Sequence, residues 1–274
     1  MNKVLVTGAT GYVGGRLVRA LLENNYQVRV LVRDPKKVKQ YSWANSVEAQ
    51  VGNATDFDST FAALKDIDIA YYFLHSINSS TKFDEIEREM ARTFGMAAAK
   101  AGVKQIVYLG GIANDSKKSR HLQSRADTGV ELAKYGVPVL ELRAGIIIGS
   151  GSASFEMLRH LTHRLPIMTT PKWVKNRTQP IAIRDVLYYL QQTAKLEKPV
   201  NGVYDIGGPD VVTYEGMMQT FARVAGLRKR VVVKVPVLTP SLSSLWIGLV
   251  TPVPTTLARP LVESLISEVV VLSL

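Results

Sequence analysis

The sequence predicts an α/β fold, a doubly wound parallel sheet with a smaller C-terminal cap. Three observations carry this prediction. Residues 4–15 read V-L-V-T-G-A-T-G-Y-V-G-G, an apolar run entering a glycine-rich turn. Strand-like and helix-like segments then alternate as far as Gly149, the pattern of βα units feeding a parallel sheet. Beyond Gly149 the rhythm loosens, and Ser150 to Ser154 form a hydroxyl-rich loop of small residues.

The first strand ends at the glycine turn, and the amphipathic stretch Arg16 to Glu23 leaves it as a helix. Val28 to Val32 makes a second strand at the spacing a βαβ unit requires. Val47 to Val51 is a third strand ending on Gly52-Asn53, and Thr55 to Leu64 a helix opened by hydroxyl and carboxylate caps. Ile69 to Leu74 is a fourth strand closing on His75-Ser76. The helix from Lys82 to Ala101 is apolar at Phe83, Ile86, Met90 and Phe94, and Gly102 ends it. Gln105 to Leu109 is the fifth strand, Ser119 to Tyr135 contains the next helix, and Val137 to Leu142 is the sixth strand. Further on, Gln179 to Ile183 and Val203 to Ile206 are candidates to rejoin the sheet. Arg184 to Thr193 and Tyr214 to Ala225 read as helices. The expected domains are therefore 1–150, with 179–207 returning to it, and a cap made of 151–178 and 208–274.

A strand, a tight turn and a helix N-terminus make a preformed anion site, because first-turn N–H groups lack helical partners and the helix dipole favours negative charge. Gly8, Gly11 and Gly14 stand at the spacing G-x-x-G-x-x-G. The first permits the turn, the second lets a pyrophosphate approach, and the third lets the helix pack closely on the sheet. Right-handed crossovers gather the C-terminal strand ends on one edge, where ligands bind. Arg33, Asn53, His75-Ser76 and Gly110-Gly111 converge there with the glycines.

The end of the second strand selects the dinucleotide. An acidic residue there would accept from the ribose hydroxyls and repel a 2′-phosphate. Here Arg33 follows Val32, with Lys36 and Lys37 close behind, and a guanidinium fork suits a phosphate dianion. NADP(H) is expected in preference to NAD(H). Asp34 reads as a helix cap before Pro35.

With 274 residues, 46% of them hydrophobic, the chain can bury a full core. It has no cysteine, which excludes disulfides and thiolate chemistry and suits a reducing cytoplasm. The N-terminus lacks the shape of a signal peptide. The net charge of +11 comes from scattered residues with short clusters at Lys117-Lys118 and Arg228-Lys229-Arg230. No DNA-binding motif accompanies them, so no nucleic-acid partner is expected. A phosphate-rich cofactor or an anionic surface would both use such a field. His160 and His163 stand three apart with no third ligand evident, and no metal site is expected. From Val235 to Ala258, 24 consecutive residues carry no charge. Four prolines interrupt them, which argues against a spanning helix. A buried cap, a subunit contact or a membrane-surface patch is expected from 235–258 instead.

These residues resemble the short-chain dehydrogenase/reductase superfamily, in its extended and atypical branches, whose fold is the Rossmann type. The likeness runs from V-T-G-A-T-G-Y-V-G-G and R-D-P-K-K to L-R-A-G-I-I-I-G-S-G at 142–151, Q-P-I-A-I-R-D-V at 179–186 and Y-D-I-G-G-P-D at 204–210. Within it the chain looks like the group of NmrA-like proteins and the NADPH-binding accessory subunit of respiratory complex I. The runs S-G-S-A-S-F-E-M and W-I-G-L-V-T-P-V-P resemble an uncharacterised bacterial subgroup. The expected cofactor contacts are Gly8, Thr10, Gly11, Tyr12, Val13, Gly14, Arg33, Asn53, Leu74, His75, Ser76, Gly110 and Arg125.

The resemblance implies catalysis by a serine or threonine after the fifth strand and a Tyr-x-x-x-Lys pair on the next helix. The tyrosine exchanges the substrate proton, and the lysine lowers its pKa and holds the nicotinamide ribose. This chain departs from that pattern. Gly111 stands at the serine position, and none of the 11 tyrosines has a lysine four residues on. His121 and Arg125 stand where the tyrosine and lysine belong. His121 is the candidate acid/base for a small carbonyl or alcohol substrate, and Arg125 is read first as a cofactor contact. The rival reading is a non-catalytic redox sensor or assembly protein whose protein partner reads the cofactor. A nucleotide-sugar epimerase or dehydratase is a third, opposed by the absent tyrosine.

Overall fold

The computed structural model describes residues 3–75, 83–112, 119–234, 250–252, 254, 262–263 and 265–272. In chain order the elements are β1 (Lys3–Thr7), α1 (Tyr12–Glu23), β2 (Gln27–Val32), β3 (Glu48–Val51), α2 (Phe57–Leu64), β4 (Ile69–Tyr72), α3 (Phe83–Ala101), β5 (Gln105–Gly111), α4 (Arg120–Leu132) and β6 (Val139–Ala144). Then follow β7 (Ile147–Ile148), α5 (Ala153–Arg164), β8 (Ile167–Thr170), β9 (Arg177–Thr178), β10 (Ile181–Ala182), α6 (Ile183–Thr193), β11 (Gly202–Ile206), β12 (Val212–Thr213), α7 (Tyr214–Val224) and β13 (Val231–Lys234). The chain divides into two compact units, one of residues 1–111, 124–143 and 183–204, the other of residues 112–123, 144–182 and 205–274.

The first unit is built on a seven-stranded sheet of order β11-β6-β5-β4-β1-β2-β3. The pairings β1–β2, β1–β4, β2–β3 and β4–β5 are all parallel. The order reverses at β1, so the first crossover runs to β2 on one side and the later chain builds outward from β4 on the other. This is the doubly wound α/β fold the sequence predicts. Val4, Leu5 and Val6 are fully buried, as a strand covered on both faces requires. Phe94 of α3 meets Tyr72 edge-on at 4.9 Å, and Tyr72 meets Tyr108 at 6.0 Å, inside a core shared with Leu5 and Ile106. Tyr71 Oη donates to the Leu190 carbonyl at 2.9 Å and so ties α6 to β4.

Local departures from the sequence reading have identifiable causes. Helix α1 begins at Tyr12 rather than Arg16, because Gly14 and Gly15 are absorbed into its first turns. Strand β4 stops at Tyr72 rather than Leu74, since the Phe73 N–H turns to the Thr7 hydroxyl at 3.0 Å. Only β11 of the two late candidates joins the large sheet. Ile181–Ala182 pairs in parallel with Ile147–Ile148, and the flanking Gln179 N–H bonds the Val269 carbonyl at 2.8 Å. The backbone groups of 179–182 are thus used within the second unit.

That second unit packs α5 against α7 over a core of Met157, Leu161, Met168, Tyr214, Met217 and Met218. Among the described residues it also holds three two-stranded sheets, β10 with β7, β12 with β9, and β13 with β8. Among the described residues no helix is long and apolar enough to cross a membrane. Much of the uncharged run 235–258 lies outside the described residues.

Candidate functional site

Strand β1 delivers the chain into a turn that only glycine can make. Gly8 has φ +64°, and a Cβ there would stand 2.6 Å from the Phe73 carbonyl oxygen. The Gly11 N–H closes the turn on the Gly8 carbonyl at 2.9 Å. A Cβ on Gly14 would fall 2.3 Å from that same oxygen, so α1 starts hard against the loop. Gly11 is its N-cap, with no capping side chain and no acidic residue in the first turn. Such a terminus receives an anion rather than supplying one. Thr10, Tyr12 and Val13 line the same turn and are half-buried.

Thr7 and Tyr41 hold this loop in place. The Thr7 hydroxyl donates to the Tyr71 carbonyl at 3.1 Å and accepts from the Phe73 N–H, locking the ends of β1 and β4 together. Tyr41 donates to the Thr10 carbonyl at 2.8 Å and stacks on Trp43 with ring centroids 4.6 Å apart. Sequence reasoning missed Tyr41, since nothing in its neighbours signals a contact 31 residues away.

At the end of β2, Arg33 is exposed. The neighbouring Asp34 carboxylate accepts from the Lys36 N–H at 2.9 Å and caps the short turn begun by Pro35. Asn53 sits past the end of β3, beside the end of β2, because the Gly52 N–H bonds the Val32 carbonyl at 3.0 Å. Its side chain accepts from the Thr55 N–H at 3.3 Å, and its carbonyl accepts from the Ser59 hydroxyl at 3.1 Å. Arg33 and Asn53 therefore stand on adjacent strand ends.

The ends of β4 and β5 carry the remaining expected contacts. Leu74 is half-buried and His75 reaches solvent; Ser76 lies outside the described residues. Gly110 is buried, and a Cβ there would meet the Glu141 carboxylate at 2.5 Å. Its missing side chain thus makes room for Glu141 of β6. The Arg125 guanidinium donates to the Leu109 carbonyl and lies 5.3 Å from the Tyr108 ring centroid. Tyr108 Oη in turn donates to the Arg125 carbonyl at 2.8 Å. Arg125 is fastened to β5 in this way, with further guanidinium N–H groups beyond that one bond.

His75 is exposed as a residue, yet loss of hydration at its ring, and then the positive charge of Arg125, push its pKa down to about 4. The folded state therefore binds this proton at lower pH than the unfolded chain, whose histidine titrates near 6.5. Stability must fall as pH drops from 6.5 towards 4. His75→Gln removes that contribution. Allowing for solvent contact, the variant should lose about 1–2 kcal/mol less than the parent over the window, read from urea unfolding at a series of pH values.

His121 occupies the first turn of α4, half-buried, with Nδ1 shielded from solvent. It belongs to the second unit's residues, and Arg125, four positions on, to the first unit's. His160 lies 3.7 Å from Glu156, while His163 meets Phe221 edge-on at 5.5 Å. Burial, and after it the charge of Arg159, lowers the His160 pKa.

Residues 8–135 match a family model described as NAD(P)H-binding. The segment begins at the first glycine of the turn and runs to the end of the helical stretch that carries Arg125. The match spans just under half of the chain and shows an NAD(P)H-binding segment. Ceramide reductase from Caulobacter vibrioides is 27% identical over 239 residues, 84% of this chain and 72% of that protein. A 3-beta-hydroxysteroid dehydrogenase from Mycolicibacterium neoaurum is 27% identical over 115 residues, 39% of this chain and 31% of that protein. The crystal structure of Citrobacter sp. triphenylmethane reductase complexed with NADP(H) shares the fold, with TM-score 0.77 and 18% identity over 99% of this chain and 92% of that one. The glycine cradle and uncapped α1 terminus fit such a dinucleotide.

Proposed function

We propose that this chain is an NADP(H)-dependent reductase acting on a carbonyl group carried by an apolar, lipid-like molecule. The observation that carries the cofactor choice is at the end of β2. There one oxygen of the exposed Asp34 carboxylate accepts from the Lys36 N–H, and the exposed Arg33, Lys36 and Lys37 outnumber its charge. The substrate class rests on the two curated relatives, whose names specify ceramide and a steroid. Both are apolar bodies bearing oxygen.

When bound, the nicotinamide supplies a hydride for the carbonyl carbon. This chain's own residues must then hold the cofactor and deliver a proton to the carbonyl oxygen. Arg125, fixed to the end of β5, replaces the ribose-holding lysine of the superfamily pattern. His121 replaces the tyrosine as proton donor, a role open to an imidazole. Gly111 gives no hydroxyl to orient the oxygen, so the site is expected to turn over slowly.

NADPH oxidation against long-chain and sterol-type ketones tests this reading. His121→Ala should retain NADPH binding and lose roughly a hundredfold in kcat. Equal turnover in both proteins would remove His121 from the mechanism. The missing Ser and Tyr-x-x-x-Lys favour a second reading, a cofactor-binding sensor or assembly protein. Tight NADPH binding with slow release and no turnover on any ketone would support it.

A further inference from the structure

The sheet pair of β8 and β13 has two unlike faces. Its parallel register sets Ile167 beside Val231, Met168 beside Val232, and Thr169 beside Val233. Met168 is buried, and Val232 packs against the same core beneath. Side chains alternate along a strand, so Ile167, Val231 and Val233 share the outer face, where they are 62%, 55% and 47% exposed. Neighbouring strands lie about 5 Å apart, which makes these three aliphatic groups one patch rather than scattered residues.

Charge adjoins that patch at one end. Because the strands are parallel, both begin on the same side, where the Val231 N–H donates to the Pro166 carbonyl at 3.0 Å. Arg164 leads into one strand, and Arg228 and Lys229 into the other, all exposed. Arg228 and Lys229 are open to solvent, while Arg164 spends one guanidinium N–H on the Val250 carbonyl. Gln219 of α7 grips the backbone of Arg230 through both its N–H and its carbonyl, at 3.1 and 2.7 Å. The strand entry is thereby anchored to a helix.

We propose that this face docks the protein on an anionic lipid surface, with Ile167, Val231 and Val233 entering the headgroup boundary and Arg164, Arg228 and Lys229 facing lipid phosphates. An aliphatic patch rimmed by cations matches such a surface in both respects. A second copy of the chain matches less well, because each copy carries a formal charge of +11 and association must work against that repulsion. The attachment is peripheral and held by two weak signals together. The inference deepens the reductase reading, since an apolar substrate resides in such a surface. It is measured without turnover, so the failure of one is distinguishable from the failure of the other.

The experiment is co-sedimentation of the full chain with phosphatidylcholine vesicles, with and without phosphatidylglycerol. Binding is expected only to the anionic vesicles and should fade as salt is raised. Each basic residue near such a surface contributes roughly fivefold in affinity. Arg228→Ala with Lys229→Ala should therefore weaken binding by about 25-fold. Val231→Asp with Val233→Asp should abolish it, and Ile167→Ser should weaken it where the double change perturbs folding. NADPH binding by each variant reports that the first unit is intact. Three outcomes would overturn the proposal: no binding by the parent, equal binding by parent and aspartate variant, or a parent dimer that the aspartate variant splits into monomers.

Discussion

Replacing Gly14 with alanine is expected to abolish NADPH binding and lower folding stability by about 3 kcal/mol. The new Cβ would stand 2.3 Å from the Gly8 carbonyl oxygen, 2.8 Å from its carbon and 3.1 Å from the Ala9 Cα. All three are backbone atoms, so no side chain can swing aside. Relief requires α1 to retreat from the loop, which opens the turn that should hold the pyrophosphate. Losing even two charge-assisted N–H contacts weakens binding on the order of a hundredfold. Gly102→Ala is the matched control. It has φ +75° with open space around it, so alanine there should cost about 1 kcal/mol of backbone strain and leave binding unchanged. Melting curves and NADPH fluorescence titration give both readouts. NADPH binding by Gly14→Ala at the parent's affinity would refute the assignment of this loop as the cofactor cradle.

The second large effect is expected at Arg33. Arg33→Ala should weaken NADPH binding by about 10- to 100-fold, the worth of a hydrogen-bonded charge pair, while NADH binding changes by no more than about twofold. Asp34→Ala separates the two neighbours. It removes the cap on the Lys36 N–H and should cost about 1 kcal/mol in stability without altering cofactor choice. Equal losses for both dinucleotides in Arg33→Ala would mean that this guanidinium does not read the 2′-phosphate.

The elements legible in the sequence were those whose signals are local. The glycine spacing, the apolar strands and the capped helices each depend on neighbours within a few residues. Long-range partners were not legible. Arg29 interrupts the apolar run Val28 to Val32, and nothing in its neighbours signals where its charge goes. Yet it is buried, its guanidinium bound to the Ala63 and Lys65 carbonyls at the C-terminal end of α2 and to Glu48 at 2.8 Å. The dipole and open carbonyls of a helix end make that burial tolerable. Glu87 of α3 is buried as well and accepts from the Ser124 hydroxyl of α4. Glu141 occupies the space that Gly110 and Gly129 leave open. In each case one residue's placement depends on an element many positions away, and a single sequence carries no trace of the pairing.

By itself the sequence determined the doubly wound α/β class, the glycine-rich loop and the strand ends that carry Arg33, Asn53 and His75, because backbone conformation and hydrophobic periodicity are local properties. Tertiary structure alone decided what those residues do there. It bound Arg125 to the Leu109 carbonyl. It took hydration from the His75 ring and brought the charge of Arg125 near it, lowering its pKa, and it set Ile167, Val231 and Val233 on one exposed face. Desolvation, charge proximity and strand register arise only when distant segments meet, and they are the quantities that separate a cofactor cradle from a working site.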